Sequence, residues 1–183
     1  MNTGKPWGVV TPYEDSGVRV WDPHAPIPAP LALHRTLVKR EWVDYNRHMS
    51  ESCYLLVFGD TSDALFRFVG IGEDYRASGR SLYTVEAHIH YLREVGEGEI
   101  IVCTTQLLGV DHKRLHLWHA MYHEESGSEL AEVEQMLVHV DMQAGRSAPF
   151  PAEIHERFAA IVAAHRALPR PPRVGKVMGI PKS

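Results

Sequence analysis

One feature limits the fold of this chain more than any other: a helix-period segment running from residue 50 to about 70 is followed by four strand-like segments separated only by short turns. In the first, Tyr54, Leu55, Phe58, Leu65, Phe68 and Val69 recur mostly at intervals of three and four, the spacing that lines one face of an α-helix. Ser50 is placed to cap it through its side-chain oxygen, Glu51 stands near the positive end of the helix dipole, and Gly70 and Gly72 supply the stop. Next, SLYTVEAHIHYL (81–92) sets Tyr83, Val85, Ala87, Ile89 and Tyr91 on one face against Thr84, Glu86, His88 and His90 on the other. VGEGE turns the chain into IIVCTTQLLGV, VDHK leads into RLHLWHAMYH, and EESGSE leads into LAEVEQMLVHVDM, the order of an antiparallel meander. A helix segregated from consecutive strands predicts the α+β class, one sheet wrapped on the helix. LALHRTLVKREW (31–42) is a further strand candidate, and PAEIHERFAAIVAAHRAL reads as a second helix with Pro151 in its first turn.

The 183 residues suffice for one domain with a substantial core. WDPHAPIPAP carries prolines at 23, 26, 28 and 30, which remove backbone donors and favour extended structure. We therefore expect a proline-rich arm over residues 1–30, the folded domain over 31–167, and a basic, proline-rich tail over 168–183. MNTGKPWGVVTPYEDSG lacks the charged end and continuous apolar run of a signal peptide, and no stretch approaches the roughly 20 apolar residues of a membrane helix, so a cytoplasmic location is expected. The formal net charge of -4 supports neither a nucleic-acid nor a membrane partner. Cys53 and Cys103 lie in apolar segments without a CxxC spacing and read as small core residues.

Just before the helix, Asp44, Asn46 and His48 fall within five residues. Asp44 suits a general base or nucleophile beside a helix start, whose free N–H groups polarise a carbonyl. Asp and Asn are equally common turn formers, so on spacing alone both readings stand. His88 and His90 share a strand face, but no third ligand is marked by spacing, and a polar sheet face or subunit interface is expected there in place of a metal site. No GxxxxGK or strand-linked GxGxxG supports a phosphate loop, and no GxSxG elbow supports a serine hydrolase. Trp42, Tyr45, Tyr54 and Phe58 cluster near the acidic loop. They are core residues or, where they line a cavity, π faces for a quaternary ammonium group.

VDYNRHMSESCYLLVF, followed by SLYTVEAHIHYLREVGEGEIIVCTTQLLGVDHKRLHLWHAMYH, resembles the hotdog-fold acyl-CoA thioesterases of the hydroxybenzoyl-CoA thioesterase type, and among them the betainyl-CoA thioesterases of bacterial carnitine breakdown. The likeness runs from about Leu33 to Pro151. It implies a hotdog fold, an antiparallel sheet around a long central helix. Two copies would join sheets as a homodimer, alone or as a dimer of dimers, with active sites at the subunit interface. It also implies an acyl-CoA substrate whose coenzyme A is no separate cofactor.

Carried over by position, Asp44 matches the catalytic carboxylate of the D-x-x-x-H loop. Asn46 and His48 would orient water or substrate, and the backbone N–H groups of His48 and Met49 would polarise the carbonyl. Arg47 departs from the family, which usually has Gly there; a Gly serves either a positive φ or close substrate approach. For a trimethylammonium acyl group the candidate cage residues are Trp42, Tyr45, Tyr54 and Phe58, with Tyr83 or Trp118 from a partner and Glu86 as counter-charge. Arg80, Lys113 and Arg114 are candidates for the CoA phosphates, though a solvated turn explains those charges equally. Rival readings are a thioesterase for another short or aryl acyl-CoA and a non-catalytic acyl-CoA-binding hotdog module. A hotdog dehydratase is disfavoured because no histidine pairs with an acid on the central helix.

Overall fold

A computed structural model describes residues 20–180; the first 19 residues of the expected arm and the last three of the tail lie outside them. Strand β1 (Leu31–Leu37) leads through a 3-10 turn (Arg40–Trp42) into helix α1 (Glu51–Phe68), and a short helix α2 (Glu73–Ala77) follows. Strands β2 (Arg80–Tyr91), β3 (Ile100–Val110), β4 (Arg114–His123), β5 (Glu129–Asp141) and β6 (Arg146–Ser147) come next, then helix α3 (Ala152–His165). The strands form one antiparallel six-stranded sheet in the order β1-β3-β4-β5-β2, with β6 on β5. It curls around α1 as a half-barrel, the hotdog architecture expected from the sequence.

The α1 stripe runs through Tyr54, Val57, Phe58, Thr61, Ser62 and Leu65, all buried. Phe58 and Val57 belong to a cluster with Cys103, Met121 and Val133 from three strands, and Leu65 joins a second cluster closed by Phe158 and Ile161 of α3. Cys103 is buried as expected, while Cys53 is half-buried against the first cluster. Inside this apolar packing Ser62 Oγ lies 2.9 Å from His119 Nε2 and 3.0 Å from Gln135 Oε1, and His119 Nδ1 is 2.9 Å from Thr105 Oγ1. A buried polar group is tolerated when it is bonded this way.

Several local expectations need correction. Leu55 is 44% exposed, because one helical step past Tyr54 carries it about 100° away from the core stripe. Ser50 occupies the N-cap position, yet its side chain makes no capping bond and lies 3.4 Å from Ser52 Oγ instead. Pro151 is likewise the N-cap of α3 and not a first-turn residue. β1 stops at Leu37, and the 3-10 turn folds Trp42 into the core. On β2 the expected alternation breaks at a bulge between Thr84 and Glu86, which leaves Val85 without a partner. One extra residue flips every side chain after it to the other face, so Leu82 is buried before the bulge, Ile89 packs inward after it, and Tyr83 and Val85 are exposed.

The meander also holds only for β3, β4 and β5. β2 does not pair with β3; it pairs with β5 at the far edge. Residues 92–99 must therefore cross the sheet end, three strand spacings or roughly 14 Å. Eight residues span up to roughly 26 Å, so the crossing is unstrained. It begins with Leu92 and Arg93 N–H both donating to Leu130 O.

Described parts of both terminal segments pack on the domain. Trp21 meets Phe68 edge-on at 5.7 Å, and His165 Nε2 bonds Pro28 O at 3.0 Å while its Nδ1 accepts from Leu107 N. The tail crosses the convex face of the sheet: Gln106 Nε2 donates to Pro169 O, Arg173 donates to Glu132 at 2.6 Å, and Gly175 N donates to Glu134 at 2.7 Å. Among the described residues no helix is long and apolar enough to cross a membrane.

Buried histidines give this core an acid limit. Burial lowers His119 to about 3 and His34 to about 4. Both are neutral at pH 7 in the folded chain, whereas the unfolded chain protonates them near pH 6.5. Below that value the unfolded state binds more protons, so their contribution is intact above pH 6.5 and is lost as pH falls toward 4. Burial pushes Asp60 up to about 6, which works the other way: the folded state gains a proton there first and recovers part of the loss between about pH 6 and 3.8. Tm measured between pH 7 and 4.5 is expected to fall. The fall should be shallower in His119→Gln, which keeps hydrogen-bonding capacity but cannot titrate.

Candidate active site

Between the 3-10 turn and α1 the chain makes a tight hairpin. Asp44 N donates to His48 O at 3.0 Å and Ser50 N to Trp42 O at 2.8 Å, so Val43 and Met49 face each other across it. At the tip Arg47 N donates to Asp44 O at 3.0 Å, and Asn46 N donates to Asp44 Oδ1 at 2.7 Å. Asp44 thus does act as a turn former, through one carboxylate oxygen. The other has no hydrogen bond among the described residues.

Arg47 takes φ +66°, the left-handed conformation that glycine adopts without penalty. This answers the departure at that position: the turn geometry is kept and Arg accepts a backbone strain of roughly 1–2 kcal/mol. The crossing segment forms the second wall. Met49 N donates to Val95 O at 2.8 Å, His48 is bridged to Gly96, and His48 Nδ1 lies 3.1 Å from Glu94 Oε2.

Between this wall and the start of α1 lies an open cleft of about 360 Å³, lined by Met49, Glu51, Tyr54 and residues 91–94. Tyr54 and Tyr91 meet edge to face, with ring centroids 5.4 Å apart. The Tyr54 hydroxyl donates to Arg93 O at 3.1 Å and the Tyr91 hydroxyl to Glu51 O at 3.2 Å. Burial, and then the Glu94 charge, push Tyr54 up to about 12; burial and Glu51 raise Tyr91. Both phenols are neutral, and they sit in a negative field.

Of the site residues expected from sequence, Met49 and Tyr54 line this cleft, His48 adjoins it through Glu94, and Asp44 and Asn46 occupy the hairpin leading to it. Tyr45 is 94% exposed at the hairpin tip. Trp42 and Phe58 are core residues, Phe58 fully buried and stacked on His119 with 6.1 Å between centroids. Trp118 is buried on the opposite face of the sheet, because Leu117 and His119 on either side of it point toward α1. Tyr83 and Glu86 lie on exposed parts of β2, Glu86 beside a separate recess of about 200 Å³ with His88 and Glu134. Arg80 opens β2, eleven residues or roughly 36 Å of strand from Tyr91. Lys113 and Arg114 lie near that same far end, Lys113 Nζ on Ser147 Oγ and Arg114 on Asp111 at 2.7 Å. Sequence reasoning missed Glu51, Tyr91 and Glu94 as cleft residues. Glu51 opens α1, and no local signal places Tyr91 and Glu94 beside it, since only the end of β2 and the crossing of residues 92–99 bring those two over the helix start. Among the described residues no group of three or more His, Cys, Asp and Glu side chains could hold a metal ion.

Residues 38–158, two thirds of the chain, match the thioesterase-like superfamily. The chain belongs to that superfamily. A betainyl-CoA thioesterase of Pseudomonas aeruginosa is 50% identical over 152 residues, which cover 82% of this chain and 96% of that protein. An L-carnitine dehydrogenase/betainyl-CoA thioesterase of Rhizobium meliloti is 41% identical over 96% of this chain, which spans only 37% of the larger protein. Among solved structures, a Staphylococcus aureus protein in complex with CoA superposes with a TM-score of 0.76 at 28% identity, covering 86% of this chain and 99% of that one. Within the superfamily this chain is an acyl-CoA thioesterase related to the betainyl-CoA thioesterases, as the opening likeness implies.

Proposed function

We propose that the protein hydrolyses betainyl-CoA to glycine betaine and CoA, in the cytoplasm, as a step of carnitine breakdown. The observation that carries this reading is the 50% identity over 96% of the length of a betainyl-CoA thioesterase. The geometry of the hairpin is consistent with it. The free oxygen of Asp44 takes a proton from water as the water oxygen adds to the thioester carbonyl, or adds to that carbonyl itself to give a mixed anhydride. In the first route the C–S bond breaks and the departing thiolate of CoA takes up the proton held by Asp44; in the second the thiolate departs as the anhydride forms, and water then cleaves the anhydride, which releases glycine betaine, restores the Asp44 carboxylate and supplies the thiolate's proton. Met49 N is committed to Val95 O, so we assign carbonyl polarisation to His48 N–H, aided by the positive end of the 18-residue α1. Asn46 holds the turn through its own N–H, and His48 is oriented by Glu94. The fixed positive charge beside the betainyl carbonyl already makes it electrophilic, so recognition of that charge is the larger demand on the protein.

β2 is an edge strand of the sheet, at the end opposite β1, with Tyr83, Val85 and Tyr91 exposed. Unpaired edges of this kind are sites of strand addition. We infer that two copies pair these edges antiparallel in a homodimer. The start of one β2 then runs alongside the end of the other, which carries Arg80, Lys113 and Arg114 of the partner subunit toward the cleft, where the CoA phosphates need cations. The Staphylococcus aureus relative, solved with CoA, supports CoA as the carrier group.

Thiol release from betainyl-CoA and acetyl-CoA tests the substrate. A kcat/KM at least about tenfold higher for betainyl-CoA is expected, equivalent to about 1.4 kcal/mol of selective binding in the transition state. Equal turnover of both would point to another short acyl-CoA. Tight acyl-CoA binding without thiol release would point to a non-catalytic module.

A further inference from the structure

We propose that Tyr91, Tyr54 and the carboxylates of Glu51 and Glu94 form the subsite that selects a quaternary ammonium acyl group; this rests on the thioesterase reading above and identifies which residues supply its specificity. The sequence does not mark Tyr91, Glu51 or Glu94 as a ligand-binding residue. The cleft of about 360 Å³ falls in the range of small-ligand sites and opens beside the hairpin that carries Asp44.

Both tyrosine hydroxyls donate to main-chain carbonyls, to Arg93 O and Glu51 O, so the rings are fixed in orientation and their hydroxyl protons are already engaged. A ligand with its own hydrogen-bond donors and acceptors finds little to pair with on this wall. A trimethylammonium group has neither, and is attracted by an aromatic face and by negative charge. Tyr91 is 48% exposed and presents its ring; Tyr54, nearly buried, holds that ring edge to face.

The charge around the rings has the sign a cation needs. The positive end of α1 would repel a cation placed there, and Glu51 and Glu94 offset it: Glu51 lies in the first turn of the helix, and Glu94 stands across from it on the crossing segment. The cation that lines the cleft, Arg93, directs its guanidinium to Glu129 O at 2.8 Å. In a betainyl thioester the ammonium is one methylene from the carbonyl carbon. Glu94 is paired with His48, so counter-charge and carbonyl site are adjacent, as so short an acyl group requires.

The test compares betainyl-CoA with 3,3-dimethylbutyryl-CoA, which has the same shape with carbon in place of nitrogen. The readout is the ratio of their kcat/KM values in wild type, Tyr91→Phe, Tyr91→Leu and Glu94→Gln. Loss of His48 positioning in Glu94→Gln slows both substrates and cancels in the ratio. Wild type and Tyr91→Phe are expected to favour the cation strongly, and Tyr91→Leu and Glu94→Gln to lose about tenfold of that preference. Saturation-transfer NMR with glycine betaine reports binding without turnover, and its signal should survive in Tyr91→Phe and vanish in Tyr91→Leu. An unchanged ratio in Tyr91→Leu and Glu94→Gln, with betainyl-CoA still turned over, overturns this subsite and leaves the thioesterase reading intact. Glycine betaine binding that depends on the Tyr91 ring, without betainyl-CoA turnover, supports the subsite and overturns the proposed reaction. Neither binding nor preference overturns both.

Discussion

Asp44→Asn is expected to lower kcat for thiol release by about 10²–10⁴-fold, the scale on which a positioned base or nucleophile contributes. The substitution separates the two uses of this side chain. Asn retains a carbonyl oxygen where Asp44 Oδ1 accepts from Asn46 N at 2.7 Å, so the turn is preserved and only the charge and basicity are removed. An unchanged Tm alongside lost turnover would therefore assign the effect to chemistry. If the folded variant turned over at the wild-type rate, Asp44 would be a turn former alone. Single-turnover hydrolysis in H₂¹⁸O, followed by mass analysis of the protein, identifies a mixed anhydride cleaved at the Asp44 carbonyl, since label enters the Asp44 carboxylate only that way.

Phe58→Ala is expected to have the largest effect on stability, about 3–5 kcal/mol. The ring is fully buried, stacks on His119 and lies in the cluster that joins α1 to β3, β4 and β5. Close-packed surroundings cannot collapse into the space it leaves, so the lost transfer energy is augmented by a cavity. Against a total stability of about 5–15 kcal/mol for a domain, this is a large share. Urea unfolding should show a lower midpoint with an unchanged slope; a loss under about 1 kcal/mol would mean that the helix shifts to refill the site.

Phe58 also illustrates how position in a sequence misleads about a site. It stands four residues from Tyr54 on the same helix face, and both qualify as aromatic ligands or as core. One turn of helix separates them, yet Tyr54 lies at the mouth of the cleft and Phe58 in the interior, because the sheet covers α1 more completely away from its N-terminus. Trp118 is a second case. Its neighbours in β4 face α1, and the period of two sends it to the other side of the sheet.

What the sequence by itself determined about this protein is local. Periodicity of three and four marks α1, periodicity of two marks most of the strands, and Asp44, Asn46 and His48 stand directly before the helix whatever the rest of the chain does. These features depend on neighbours within a few residues, so one strand of text suffices to read them. The tertiary structure alone decided that β2 leaves the meander for the far edge, that Val85 bulges, and that residues 92–99 cross the helix start with Tyr91 and Glu94. A hairpin turn and a crossing of the sheet use the same glycines and charged residues. Which of them forms depends on the pairing of Arg80–Tyr91 with Glu129–Asp141, about fifty residues further on, and on burial of the faces that this pairing creates.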